Sequence, residues 1–339
     1  MGSVKDLVAL KEAKDNQPGL GRFIFSDRYS VFDYGEMPDK IEGKGQSLCL
    51  ITSYFFEILN KEGIKNHYVG VVENNEVKNL KELENPTNIM EVKLVRLIKP
   101  ESGYGIFKVE KTNFLIPLEI IYRNVITEGS SFLRRLKNGE ISLEQFGLDK
   151  LVVNERLKKP IVDFSTKLED KDRYLSYEEA KDISGLSDEE FDELIKLTLK
   201  IDEIITKEVE KIGLTNEDGK IEVAFDEKRQ FMVVDALGTP DECRFSYNGV
   251  EMSKEVLRKY YKTTEWYTKL EEVRDVDGWR EKIGVPPKLP PELKLAVESM
   301  YKALCNEITS IKFFDVPKLK EIVKIIKELR EKYEGSIGN

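Results

Sequence analysis

The chain has 339 residues, a net charge of −9, 40% hydrophobic residues and 35% charged residues. That length suggests two or three domains with ample core, and the acidic balance argues against bulk attraction to nucleic acid or to an acidic membrane surface. No apolar run approaches the ~18 residues of a membrane span, and the N-terminus lacks the apolar core of a signal peptide. Cys49, Cys243 and Cys305 are odd in number, far apart and without CxxC spacing, so a reducing, cytoplasmic setting is expected, not a disulfide framework or a zinc cluster.

In chain order, residues 22–25 read as a strand entering a charged turn at Asp27–Asp33. Residues 46–62 carry Leu48, Ile51, Phe55, Ile58 and Leu59 at helical spacing, and Gly63 supplies a left-handed stop. Stretches 67–72, 77–80, 89–97 and 106–109 alternate with turns and predict an antiparallel sheet. The apolar run 114–122 predicts a buried strand that leaves this first lobe. Residues 177–212 hold two helical patterns, the second opened by a capping box of Ser187 and Glu190 and closed by Gly213. Strands are expected at 220–225 and 230–234 about a turn at 226–229, followed by a proline-stiffened break at 285–291 and helices at 291–308 and 315–333. The expected architecture is α+β and two-lobed. A β-rich N-terminal lobe spans 1–117 and an α+β lobe spans 118–284. A helical annex at 285–339 completes it.

His67 is the single histidine, so a Ser-His-Asp triad or a histidine-rich metal site must use it or be absent; its place at a helix-to-strand turn favours a structural role. Chemistry then rests on carboxylates, lysines and arginines held on turns and strands. Asp218, Lys220 and Glu222 alternate, so one strand face presents all three. With Asp235 nearby they could hold Mg²⁺ and phosphate, or form a solvated charged face. The turn Thr239–Arg244 fixes Asp241 and Arg244, as a site or as a well-made loop with a surface ion pair. Arg123 at a strand end, with the Gly129-Ser130 turn, suits an anion, though a plain N-cap explains the serine equally. Lys44-Gly45 and the loop Ser165–Asp172 read first as a helix start and a polar loop.

These islands together resemble the SAICAR synthetase (phosphoribosylaminoimidazole-succinocarboxamide synthase) family. The D-R-x-S-x-F-D pattern is similar to Asp27–Asp33, the KG before a helix to Lys44-Gly45, and G-I-x-T-H to Gly63–His67 with Asn66 for Thr. Glu119, Arg123-Asn124-Val125, Gly129-Ser130 and Arg134-Arg135 follow. Then come Thr166-Lys167-Leu168-Glu169 with Asp172, the triplet Asp218, Lys220 and Glu222, Asp235, and Thr239 through Phe245. Pro286 through Tyr301 is similar to the family's tail.

The resemblance implies a fold of two α+β lobes with ATP between antiparallel sheets, similar to protein kinases and ATP-grasp enzymes. It implies a ligase that joins L-aspartate to carboxyaminoimidazole ribonucleotide with ATP and Mg²⁺. By this resemblance Lys220, Asp241 and Lys167 serve catalysis. ATP falls to Lys14, Lys11, Lys220, Glu222 and Asp235, and the metal to Glu222 and Asp235. The ribonucleotide falls to Arg123, Ser130, Arg244, Asp241, Asp33 and Asp218; the substrate aspartate falls to Lys44, Lys167 and Asp172. The partners implied are these small molecules, with no nucleic acid and no membrane; a homo-oligomer is compatible. Three departures stand out. The family's G-K-x-(R/K)-D loop is expected at Lys11–Asp15, where the glycine is missing, so Lys14 would reach phosphate by its side chain alone. Glu128 precedes the Gly-Ser turn as an insertion, and Ala236 replaces an acid beside Asp235. The alternatives are another ATP-using small-molecule kinase or ligase on the same fold, or an inactive nucleotide-binding homologue.

Overall fold

The computed structural model describes residues 4–169, 171–274, 276 and 278–335. Its strands are β1 (Lys5–Lys11), β2 (Gly19–Phe25), β3 (Tyr68–Glu73), β4 (Glu76–Lys78), β5 (Ile89–Leu94), β6 (Phe114–Leu115), β7 (Leu118–Val125), β8 (Arg156–Thr166), β9 (Tyr174–Leu175), β10 (Thr215–Phe225), β11 (Phe231–Val234), β12 (Cys243–Tyr247) and β13 (Val250–Glu251). Its helices are α1 (Lys44–Lys61), α2 (Ile106–Val109), α3 (Ser131–Lys137), α4 (Tyr177–Ser184), α5 (Asp188–Glu210), α6 (Glu255–Lys262), α7 (Glu265–Val273), α8 (Trp279–Ile283), α9 (Pro291–Thr309) and α10 (Leu319–Gly335).

The first sheet has five strands in the order β1-β2-β5-β3-β4, all antiparallel, with α1 packed against it. The second has the path β13-β12-β10-β7-β8-β9, with β11 and β6 paired to β10. Strand β10 organises this second sheet. Its first half lies between β12 and β7, and its second half pairs with β11 and β6. Ile221 and Val223 fill the core from one face, leaving Asp218, Lys220 and Glu222 on the other, as period-two alternation requires. Gly219 is obligatory here: a Cβ would lie 2.3 Å from the Tyr122 hydroxyl and 2.8 Å from Cys243 Sγ. Gly238 has a positive φ of 67°, and a side chain there would strike the Phe55 ring.

Most expected elements are present, including the Ser187–Glu190 capping box on α5 and the left-handed Gly63 after α1. Three corrections are needed. Residues 106–109 form the short helix α2, because a four-residue segment with three apolar positions cannot distinguish the two periods. The run 114–122 is broken at Ile116-Pro117, where proline lacks the donor a continuous ladder needs, so β6 and β7 are separate strands. Strand β8, which pairs along β7, begins with the polar run Arg156–Pro160 and was not expected. Asp170, in the expected polar loop, lies outside the described residues.

Buried polar groups brace the second sheet against α5. Asn124 Nδ2 donates to Asp202 Oδ1 at 2.7 Å; Thr206 Oγ1 and Asn216 Nδ2 donate to the same oxygen at 3.1 Å each. Burial outweighs these donors and pushes the Asp202 carboxyl up to about 6. An unfolded aspartate titrates near ~3.9, so in that window the folded chain holds a proton that the unfolded chain has lost. Stability contributed by Asp202 is therefore full at low pH, falls as pH rises towards 6, and is lost above it. Asp202→Asn should erase this component, on the order of 2 kcal/mol, as the difference between parent and variant in denaturation midpoints from pH 4 to 7.5. Parallel pH profiles for the two proteins would exclude the assignment.

Candidate active site

Charged side chains gather where the two sheets meet. Lys220 on β10 donates to Glu119 on β7 at 2.8 Å and stands 3.4 Å from Glu242. Lys167, just past β8, lies 3.1 Å from Glu119 and 2.6 Å from Glu222. Lys5 on β1 reaches across from the first sheet to Asp235, 2.7 Å away. Burial, and then the neighbouring charge of Asp235, push the Glu222 carboxyl upward. Burial would do the same to Asp235, but Lys5 and then Lys167 overcome it and hold that carboxyl down. Burial likewise opposes the charged form of Glu119, and Lys220 and Lys167 reverse the balance. At the solvent-accessible mouth, lost hydration and then the charge of Glu119 raise Asp172 to about 6.

Asp235 itself sits in the left-handed region, with φ of 68°. His67 holds it there, with Nε2 3.1 Å from the Asp235 carbonyl oxygen. A carbonyl only accepts, so this nitrogen carries the proton. Burial pushes the imidazole down to about 4, so His67 is neutral near pH 7 and serves as a structural clasp, as its position in the sequence suggested.

A second cluster lies at the other end of β10. The strand register places Asp218 opposite Arg123 of β7 and opposite Arg244 of β12. Arg244 binds the carboxylate through Nε at 2.8 Å and Nη2 at 2.5 Å, and donates to Thr127 Oγ1 at 3.2 Å. Arg123 bonds Asp163 at 2.9 Å, Asp218 at 3.4 Å and Ser131 Oγ at 3.3 Å. Arg135 closes on the same Asp163. The Arg123 side chain is 2% exposed and that of Arg244 is 21% exposed, so Arg244 is the arginine that faces the cleft.

Several expected residues take other positions. Lys44 and Asp241 form a buried pair 2.7 Å apart, with side chains 0% and 2% exposed. Lys44 also donates to the Arg28 carbonyl, and Tyr301 donates to Asp241 at 2.6 Å. Their charges are thus turned inward. Ser130 caps α3 by accepting from Leu133 N, and it is Ser131 that lies beside Arg123. Lys11 and Lys14 are exposed around the β1–β2 hairpin and make no ion pair among the described residues. The β1 cation at the acidic centre is Lys5. A sequence signal for it exists: Gly2-Ser3-Val4-Lys5-Asp6 fits G-K-x-(R/K)-D with its glycine kept and Ser3 in place of lysine. Glu119, central to the cluster, was visible only as part of the E-x-x-x-R-N pattern. Asp33 is exposed in the loop before α1, close enough for its charge to act on Asp172.

Two antiparallel sheets meeting at paired lysines and carboxylates, with an arginine pocket along the same central strand, define a two-lobed α+β enzyme for anionic substrates. The chain belongs to the SAICAR synthetase family, whose model matches residues 2–273. A protein of Archaeoglobus fulgidus named, provisionally, phosphoribosylaminoimidazole-succinocarboxamide synthase is 64% identical over 332 residues, which are 98% of this chain and 100% of that one. The phosphoribosylaminoimidazole-succinocarboxamide synthase of Thermoplasma acidophilum is 36% identical over 299 residues, 86% of this chain and 93% of that one. Among solved structures, SAICAR synthase from Saccharomyces cerevisiae complexed with SAICAR superposes with a TM-score of 0.64 at 22% identity, over 93% of this chain and 95% of that chain. A type-2 SAICAR synthetase in complex with ADP gives 0.61 at 21% identity, over 94% and 98%. The solved structures establish the shared fold.

Removing one member of a buried ion pair strands the other in low dielectric. Lys44→Met should therefore cost about 3 kcal/mol of unfolding free energy, and the double variant Lys44→Met/Asp241→Leu clearly less than the sum of the single changes. Urea denaturation of the four proteins measures this; strict additivity would show that the pair is not coupled.

Proposed function

We propose that this chain is the ATP-dependent ligase that joins L-aspartate to 5-amino-1-(5-phospho-D-ribosyl)imidazole-4-carboxylate, giving SAICAR, ADP and phosphate in de novo purine biosynthesis. The observation that carries the reading is the shared strand. β10 sets Lys220 and Glu222 in a lysine-carboxylate centre suited to nucleotide phosphates, and Asp218 with its two arginines a few residues away. One substrate charge can sit at each end, with the reacting groups between them.

The chemistry fits a site without a histidine base. A carboxylate oxygen of the ribonucleotide bonds to the γ-phosphorus as the bond to ADP breaks. The aspartate amine then bonds to the acyl carbon as the carbon–oxygen bond to phosphate breaks, and its proton leaves to phosphate or solvent. Both steps need spread negative charge to be met by fixed cations. Lys220, and Lys5 from β1, would meet nucleotide phosphate. Lys167 would meet the carboxylate under attack, and Arg244 the ribonucleotide, with Arg123 and Ser131 supporting it from behind. Asp172 at the mouth would receive the ammonium group of aspartate. Lys44 and Asp241 would fix the loop before α1 against the Thr239–Arg244 turn.

Glu222 and Asp235 fit Mg²⁺. Glu222 lies on β10 and Asp235 just past its neighbour β11, and the buried Glu222 Oε1 is met only by the Lys167 ammonium, 2.6 Å away. Two carboxylates would suffice for such an ion, whose shell phosphate and water would complete. When bound there, Mg²⁺ would neutralise nucleotide phosphate charge.

The direct test is ADP release by the purified protein, which should require both aspartate and the carboxylated ribonucleotide. ATP binding without such turnover would favour a nucleotide-binding homologue instead. Within the active enzyme, Glu222→Gln or Asp235→Asn should lower the rate by about 100-fold or more; near-parental turnover would remove the pair from the site. Lys5→Met should raise the ATP KM about tenfold while Lys14→Ala leaves it nearly unchanged. The reverse order would return the phosphate contact to the hairpin tip.

A further inference from the structure

The loop between β2 and α1 has no regular structure, yet a set of aromatic and polar groups from α7, α8 and the segment after them grips it. Phe32 and Asp33 are both left-handed, with φ of 55° and 56°, a conformation uncommon for side-chain-bearing residues and costly for a bulky Phe. The Phe32 ring packs on Tyr267 with centroids 4.7 Å apart. Tyr34 stands edge-on to Trp266 at 5.4 Å and lies 6.4 Å from Trp279. The carbonyl of Gly284 accepts from both the Tyr34 hydroxyl, at 3.2 Å, and Trp266 Nε1, at 3.3 Å. Arg280 lies over the Trp279 ring and donates Nε and Nη2 to the Asp33 carbonyl, at 2.9 and 2.6 Å. Further along the loop, Leu289 N donates to Asp39 at 2.7 Å.

This grip has one consequence for the cleft. The Asp33 backbone is fixed through its carbonyl, so its carboxylate is left unengaged by the clamp and within electrostatic range of Asp172 at the cleft mouth. Trp279, Arg280 and Gly284 lie beyond residue 273, where the family match ends, so these clamping groups come from outside the matched region.

We propose that α8, through Arg280 and Trp279, is a positioning clamp that holds the left-handed Phe32-Asp33 turn so that the exposed Asp33 carboxylate stays presented to substrate at the cleft mouth. Arg280 touches no substrate in this scheme; it is a positioning residue. The proposal rests on the ligase reading for the identity of the substrate, but the clamp itself is a property of the free protein.

Arg280→Ala tests both parts, because Arg280 is exposed and its loss should leave the core intact. In the free protein, hydrogen exchange at residues 30–37 should speed up by about tenfold, with α1 and β2 unchanged. In the enzyme, the ribonucleotide KM should rise about fivefold, while kcat and the ATP KM stay within about twofold. Arg280→Lys, which keeps a cationic donor to the carbonyl, should recover most of both effects. Unchanged exchange in this loop would overturn the clamp. Faster exchange with every KM unchanged, or with all of them rising together, would overturn a role for the clamp in presenting Asp33 to substrate. If neither protein turns over, the exchange result still decides the clamp, so failure of the ligase reading is seen separately.

Discussion

A charge taken out of water must find its opposite, and β10 is where this chain meets that demand. The strand carries a carboxylate, a lysine and a second carboxylate on one face, in a region where most neighbours are buried. Each needs a partner supplied from elsewhere: Arg123 and Arg244 for Asp218, Glu119 for Lys220, and Lys167 for Glu222. These partners come from β7, β12 and the residue just past β8, so the sheet order follows the pairing as much as the ladder hydrogen bonds. The same demand fixes the two lobes to each other, since Asp235 is matched by Lys5 of the first sheet and Asp241 by Lys44 at the start of α1.

That arrangement also explains how one strand can serve two purposes. Residues that already balance each other do not need to reorganise when an anionic ligand arrives; they need only share a cation with it. Lys167 and Lys220 both bind Glu119, and each keeps part of its side chain exposed. Arg244 is in the same position relative to Asp218. By contrast Arg123, Arg135 and Lys44, and the side chain of Asp241, are enclosed within ion pairs. The division between cleft-facing and enclosed charges is finer than any residue-type pattern can express.

This is why the sequence revealed some of the site and not the rest. The alternation of Asp218, Lys220 and Glu222 was readable because a strand's period is local, and Ser187 with Glu190 was readable because a capping box spans one turn. Strand β8 was missed because Arg156–Pro160 looks like a loop until β7 lies alongside it. The segment Ile106–Val109, interrupted by Lys108, is too short to favour strand over helix. The inward pairing of Lys44 with Asp241, and of Arg123 with Asp163, joins residues remote in the chain, and nothing local announces it. The glycine-lysine pattern expected at Lys11–Asp15 falls on a hairpin that leaves its lysines exposed, whereas the β1 cation that reaches Asp235 is Lys5.

The distances along the chain have a bearing on synthesis. All five strands of the first sheet lie within the first 94 residues, so that sheet can form early from near neighbours. Lys5 and Lys44 then wait, uncompensated, until Asp235 and Asp241 emerge, and Tyr301 arrives later still to close on Asp241. A nascent chain in this interval must keep two lysines hydrated at positions the finished protein makes dry. The ion pairs that tie the first sheet to the second can therefore both close only after residue 241 has been made, late in synthesis.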